Sequence, residues 1–224
     1  MRVAIIAALP REVAHLVEML GLKWEKRKDG ARGKIYLCKS DEVILVCAGM
    51  GLRRAAYAVE VALEAGPVDE IISVGLAGGL HEGLKAGAVL NPQLVIDAKT
   101  GERFEMKHGE GRLVTAQAVA GIAEKKRLRN SYGADIVDME AATVGRIAEA
   151  RGIAFRVMKS VSDEYDFEMK DLDKFATSDG WFREQAFILY IVVRPWKWTK
   201  VMQLAKNSNV AARNLCTELL KQMN

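Results

Sequence analysis

The sequence predicts an α/β protein of three α/β/α layers, with helices on both faces of a mixed, largely parallel twisted sheet. It predicts a single domain over 1–224 with a helical C-terminal segment at 172–224. Three observations carry this. Apolar runs rich in Val and Ile, at Arg2 to Ala8, Glu70 to Gly75 and Ala154 to Val161, lack polar alternation, as strands buried on both faces do. Segments with helical spacing fall between such runs, the first marked by Glu12, Val13, Leu16, Val17 and Leu20. A chain of 224 residues suffices for one large core, and no Pro/Ser/Gly tract or block of like charge marks a linker.

Composition narrows the function classes. The net charge of +4 is mild, and the basic residues are scattered except at Lys125 to Arg129 and Arg194 to Lys200, which gives no footprint for nucleic acid. Cys38, Cys47 and Cys216 are odd in number and lack C-x-x-C or Cys/His spacing, so they read as buried thiols in a reducing, cytoplasmic setting with no metal site. The opening RVAIIAALP is too short for a signal peptide, and Ala186 to Val193 is too short to span a bilayer.

In order, Arg2 to Ala8 is the first strand, and Pro10 falls in the first turn of a helix that Gly21 stops. Glu12 then lies beside the strand's carboxyl end, where a carboxylate either answers the helix dipole or serves a site. Leu22 to Lys28, Lys34 to Lys39 and Val43 to Ala48 read as three strands separated by Asp29-Gly30 and Ser40-Asp41, an antiparallel edge. Gly49-Met50-Gly51 precedes a helix at Arg53 to Ala65 and lacks the third glycine of a dinucleotide fingerprint, so no nicotinamide cofactor is expected. That glycine pair suits a tight turn with solvated arginines, or an anion or ribose near Arg53 and Arg54.

Glu70 to Gly75 runs into Leu76-Ala77-Gly78-Gly79, a candidate ligand loop in which Ala77 and Gly78 allow close approach to the backbone. Ala88 to Ile96 is strand-like despite Pro92, Thr100-Gly101 marks a hairpin, and Arg112 to Ala116 is a short strand. Gly121 to Asn130 is helical, with Asn130 and Gly133 as stop signals. Leu172 to Phe187, continuing to Tyr190, reads as helix, Arg194-Pro195 breaks it, and Asn209 to Gln222 is helical again. RPWKWTK at 194–200 mixes aromatics and cations, which suits a helix junction or subunit interface ahead of a membrane-surface anchor or nucleotide-stacking patch.

The chemistry concentrates in Ile136 to Tyr165, where Asp138 and Glu140 close one short strand, Ala141 to Arg151 is helical, and Ala154 to Val161 runs into Ser162, Asp163 and Glu164. Were both strands parallel, the connection would be a right-handed crossover, with Glu140 and Asp163 at the carboxyl edge where open α/β sheets bind ligands.

AALPREV, GLAGG and VDMEAATVGRIAEARGIAFRVMKSVSD, in that order over about residues 1 to 165, resemble the purine nucleoside phosphorylase and nucleosidase superfamily. The chain is most similar to the nucleosidases of methylthioadenosine and S-adenosylhomocysteine. The short segment before DMEA and the basic-aromatic tail are similar to hopanoid-associated phosphorylases. The resemblance implies a small-molecule nucleoside as partner, no cofactor, and a homodimer or larger homo-oligomer. It implies that Met139 packs on the ribose and that Glu140 accepts from its 2′ and 3′ hydroxyls while positive charge develops at the anomeric carbon. Asp163, with Ser162 beside it, corresponds to the acid at purine N7, a role that calls for partial desolvation. Glu12 aligns with the residue that activates water, and Lys159 stands where an arginine assists the nucleophile.

Two departures qualify the resemblance. Leu76 stands where phosphorylases often carry a Ser or Thr, so phosphate capture is not evident, and Val119 and Ala120 occupy the place of a base-stacking Phe and backbone clamp. Hydrolysis of a purine nucleoside leads. Phosphorolysis, with an adenosylated lipid among its substrates, is the alternative, and a non-enzymatic nucleoside-binding protein working through 194–200 is the third reading.

Overall fold

The computed structural model describes residues 1–29, 33–168, 175, 181, 183, 186, 187, 190, 192 and 194–223. The N-terminal half comprises β1 (Val3–Ala7), α1 (Pro10–Met19), β2 (Glu25–Asp29), β3 (Gly33–Lys39), β4 (Val43–Cys47), α2 (Leu52–Ala65) and β5 (Glu70–Gly79). There follow β6 (Val89–Leu90), β7 (Leu94–Asp97), β8 (Arg103–Glu105), β9 (Arg112–Thr115), α3 (Ile122–Tyr132), β10 (Ile136–Asp138), α4 (Ala141–Ala150), β11 (Ala154–Asp163) and α5 (Trp198–Met223).

The alternation of side chains along β1 builds the three layers. Val3, Ile5 and Ala7 pack with Val13 and Leu16 of α1 and with Leu215 and Leu219 of α5, whereas Ala4 and Ile6 face Ala55, Ala58 and Val59 of α2 and Val144 and Ala148 of α4. Helix starts and stops follow local chemistry: Pro10 opens α1, and the N–H of left-handed Gly133 bonds back to the Arg129 carbonyl to end α3.

The sheet runs β2-β3-β4-β1-β5-β10-β9-β7-β8, with β11 and then β6 on the remaining edge of β5. The order places β5 at the centre of two opposed blocks. On one side β4, β1, β5 and β11 are mutually parallel; on the other β10, β9 and β7 are parallel, and the blocks meet where β10 runs antiparallel to β5 at Gly78 and Gly79. Because β11 pairs along one edge of β5 from Glu70 to Gly78, β1 and β10 share the other: β1 takes Glu70 to Ser73 and β10 takes the far end. Between them, Val74 to Ala77 have no strand partner on that edge among the described residues. The site lies at this opening.

Several expectations are corrected. β10 and β11 run in opposite directions, so the strand-helix-strand unit around α4 is not a parallel crossover; Glu140 and Asp163 meet because β10 returns across the end of β5. Leu76 to Gly79 is not a loop but the continuation of β5, which β11 keeps extended. The second strand starts at Glu25 instead of Leu22, and α3 continues through Asn130 to Tyr132. A 3-10 turn at Pro195–Lys197 leads directly into α5, which begins at Trp198, well ahead of Asn209. The helix expected from Leu172 to Tyr190 falls mostly outside the described residues. Among those described, no helix is long and apolar enough to cross a membrane.

Leu215 is fully buried where α5 meets α1 and β1. Leu215→Ala is expected to lower unfolding free energy by about 2–5 kcal/mol in a denaturant titration; a change below about 1 kcal/mol would mean that α5 is a loosely held appendage.

Candidate active site

A cavity of about 440 Å³ opens at the uncovered stretch of β5. Its wall includes Glu12, Ala77, Gly78, Val119, Ala120, Met139, Glu140, Ser162 and Asp163, so every residue expected at the site except Lys159 lines one space. Lys159 lies beneath the floor, 1% exposed.

Glu12 turns back in the first turn of α1, and its Oε2 accepts from the backbone N–H groups of Ala8 and Leu9, both at 3.2 Å. The bonds that would answer a helix dipole thus aim a buried carboxylate. Opposite it is Gly75, with φ of 145°, where an added Cβ would lie 3.1 Å from Glu12 Oε2 and 3.7 Å from Lys159 Nζ. Only a bare, positive-φ residue lets both charged groups close on this strand. Burial pushes the Glu12 carboxyl above the usual range, partly offset by its N–H bond from Leu9 and the charge of Lys159.

Asp138 belongs to the floor, and Lys159 pairs with it from beneath. Nζ lies 2.9 Å from Asp138 Oδ2, with side chains 1% and 0% exposed, and 3.5 Å from the Val74 carbonyl on the uncovered edge. Burial opposes the Lys159 charge, but Asp138, Glu140 and Glu12 outweigh it and hold the ammonium above its ordinary range. Asp138 is itself locked: Oδ1 accepts from Thr115 Oγ1 at 2.7 Å and Oδ2 from Ala141 N at 2.9 Å, at the start of α4. In the sequence Asp138 shows only as a strand end, and its spacing two residues before Glu140 is the signal for its place here.

Glu140 begins α4, and its Oε1 accepts from Gly51 N at 2.7 Å at the start of α2. Gly51 therefore orients the carboxylate and offers no anion pocket with Arg54. Arg54 is buried, neither solvated nor in the cavity: its guanidinium donates to the carbonyls of Ala48 and, at 2.8 Å, Lys34, and stacks 5.4 Å from the Tyr57 ring centre. Arg53 is exposed. Burial and the neighbouring Asp138 push the Glu140 carboxyl up to about 7, against the opposing pull of Lys159 and Gly51.

At the other end, Ser162 Oγ donates to Asp163 Oδ1 at 2.7 Å, and Lys125 of α3 pairs with Asp163 Oδ2. In the sequence Lys125 belongs to the short basic cluster Lys125 to Arg129 at the end of a helix, with no sign of a buried role. It is 1% exposed and paired with Asp163. Val119 and Ala120 lie on the loop before α3, and Val201, Leu204 and Ala205 of α5 give the cavity an apolar wall.

The profile of the family described as "Phosphorylase superfamily" matches residues 2–109 and 89–190. The chain belongs to this superfamily. A 5′-methylthioadenosine/S-adenosylhomocysteine nucleosidase of Shewanella piezotolerans is 26% identical over 216 residues, covering 80% of this chain and 94% of the relative. The nucleosidase of the same description from Buchnera aphidicola, strain APS, is 23% identical over 200 residues, 74% of this chain and 86% of its own. Among solved structures, the Helicobacter pylori nucleosidase with butyl-thio-DADMe-Immucillin-A superposes with a TM-score of 0.69 at 17% identity, covering 99% of this chain and 98% of that one. The native futalosine hydrolase of the same organism gives 0.69 at 16%, with coverage of 99% and 98%. This superfamily member shares their phosphorylase/hydrolase-like fold.

Two measurements probe the geometry. Gly75→Ala is expected to cost about 1–3 kcal/mol of stability from the positive φ, and to lower turnover by about tenfold or more by displacing Glu12. Wild-type turnover in that variant would remove Glu12 from the chemistry. Folding also favours neutral Glu140, a stabilisation present below the ordinary value of 4.5 and lost as pH rises through about 7. Wild-type protein should therefore lose stability relative to Glu140→Gln across that window in paired unfolding curves; a constant difference would contradict the burial.

Proposed function

We infer that this protein is an N-ribosyl nucleosidase, hydrolysing the glycosidic bond of a purine nucleoside of the methylthioadenosine/S-adenosylhomocysteine kind and releasing the base. The observation that carries it is the charge pairing of the cavity. Each buried lysine already faces an acid, Lys159 with Asp138 and Lys125 with Asp163, which leaves Glu12 and Glu140 as acids aimed by backbone N–H groups. Two such carboxylates suit a developing ribosyl cation and repel a phosphate dianion. The names of the curated relatives point to the same chemistry.

In this reading Met139 packs on the sugar and ionised Glu140 accepts from its 2′ and 3′ hydroxyls. Water attacks the anomeric carbon while Glu12 takes its proton. The bond to the base breaks with its electron pair moving onto the ring, which receives a proton at the Asp163 end between Val119, Ala120 and Gly78. Lys159 acts from below, its charge falling on Glu140 and Glu12 at once. The apolar wall from α5 suits an apolar 5′ substituent.

Phosphorolysis is the second reading, favoured by Arg11 on the cavity wall beside Glu12. Base release from methylthioadenosine, adenosine and inosine should proceed in phosphate-free buffer; strict dependence on added phosphate would replace the hydrolase with the phosphorylase. Asp163→Asn should lower kcat by about 10²–10⁴-fold with little change in unfolding midpoint, and near-normal turnover would remove Asp163 from the mechanism. Since kcat/KM reports the free enzyme, it should fall below pH of about 7 as Glu140 takes up a proton; a flat profile from pH 5 to 8, an interval of about three units, would count against the sugar-binding role.

A further inference from the structure

Lys125 is an expensive residue to bury. Its side chain is 1% exposed, one turn from Leu128, which fills an apolar core cluster without any charge to satisfy. Withdrawing an ammonium from water costs several kcal/mol unless it is closely paired. The pairing is complete: Nζ has three protons, and it faces Asp163 Oδ2, the Glu164 carbonyl at 2.6 Å and the Phe167 carbonyl at 3.5 Å. The backbone after β11 thus closes over the ammonium. Below it, Gly78 presents no side chain, and an added Cβ would lie 3.0 Å from Asp163 Oδ2 and 3.2 Å from Lys125 Cε. Asp163, by contrast, keeps 23% of its side chain exposed, and both residues line the cavity.

This arrangement leaves one proton question open to chemistry. Asp163 accepts on both oxygens, from Ser162 on Oδ1 and from Lys125 on Oδ2, so an ammonium proton is already directed at the carboxyl that would serve the base. We propose that Lys125 is the positioning residue for base departure: the Lys125–Asp163 pair jointly stores the proton that the leaving purine takes. As the glycosidic bond breaks, its electron pair moves to the ring, Lys125 passes a proton to Asp163 Oδ2, and Asp163 passes one to the ring nitrogen. The base leaves neutral, Asp163 remains a carboxylate, and Lys125 regains its proton from water after release. Glu12 returns to water the proton taken from the nucleophile, so protons balance over the cycle. The inference rests on the glycosidic cleavage proposed above and holds for hydrolysis and phosphorolysis alike, because the base departs in the same way.

The test compares leaving groups. Methylthioadenosine needs a proton on its base, whereas p-nitrophenyl β-ribofuranoside releases a stable anion and needs none. Lys125→Met is expected to lower kcat on methylthioadenosine by on the order of 10²-fold and on the p-nitrophenyl riboside by less than about threefold. In an Asp163→Asn background, adding Lys125→Met should change kcat by less than about twofold, since both residues act as one unit. Equal losses on both substrates, or additive losses in the double variant, would make Lys125 merely structural and overturn the proposal. Should Lys125→Met fail to fold, Lys125→Gln, which removes the charge and retains donors, should show the same split between substrates. Assays run with and without inorganic phosphate separate the two levels of inference. Wild-type protein inert towards every nucleoside in both buffers would end the glycosidic reading and this one together, while active wild type with an indifferent Lys125→Met ends this one alone.

Discussion

The ion pair between Lys159 and Asp138 is the contact on which the site depends. It links β11 to β10 across β5, joining the two sheet blocks that run in opposite directions. Backbone pairing alone leaves Val74 to Ala77 uncovered on one edge, and the ion pair spans that opening from below. Its cost in desolvation is met by close geometry and by the bonds that Thr115 and Ala141 add to Asp138. Removing either partner would strand a charge with no access to water, which is a heavier loss than that of a surface bridge.

From that pair the rest of the cavity takes its order. With Lys159 neutralised locally by Asp138, its remaining influence falls on Glu140 and Glu12, moderating the burial that raises both. Backbone N–H groups at the starts of α1 and α2 then hold those carboxylates in place. A second lysine-acid pair, Lys125 with Asp163, stands at the other end of the cavity. The result is a polarised space, with two acids aimed by backbone N–H groups at one end and a lysine-acid pair at the other.

Much of the scaffold was legible because it obeys local rules. Continuous Val and Ile marked β1, β5 and β11, Pro10 and Gly133 marked helix ends, and Thr100-Gly101 marked the hairpin between β7 and β8. The failures share a cause, namely that long-range pairing overrode local signals. Leu76 to Gly79 reads as a turn by composition, yet β11 supplies a ladder that keeps it extended. β10 is too short for its three residues to declare a direction. The polar Lys206 to Ser208 stretch concealed the first half of α5, whose stability comes from packing instead of composition. Charged contacts were hidden where the partners lie far along the chain: Arg54 on the Lys34 carbonyl, Lys125 on Asp163, and the pairing of Lys159 with Asp138. Glu12, Glu140 and Asp163 were legible as an ordered motif set and Lys159 with them, whereas Lys125 and the pairing of Lys159 with Asp138 were not.

The packing of α5 against α1 has a kinetic implication. Cys216 Sγ donates to the Glu12 carbonyl across a separation of 204 residues, and Leu215 and Leu219 cover Val13 and Leu16 from the same helix. Contacts of such long sequence separation form late, because loop closure must precede the burial that rewards it. The helix carrying Glu12 therefore settles only once α5, far along the chain, has docked against it.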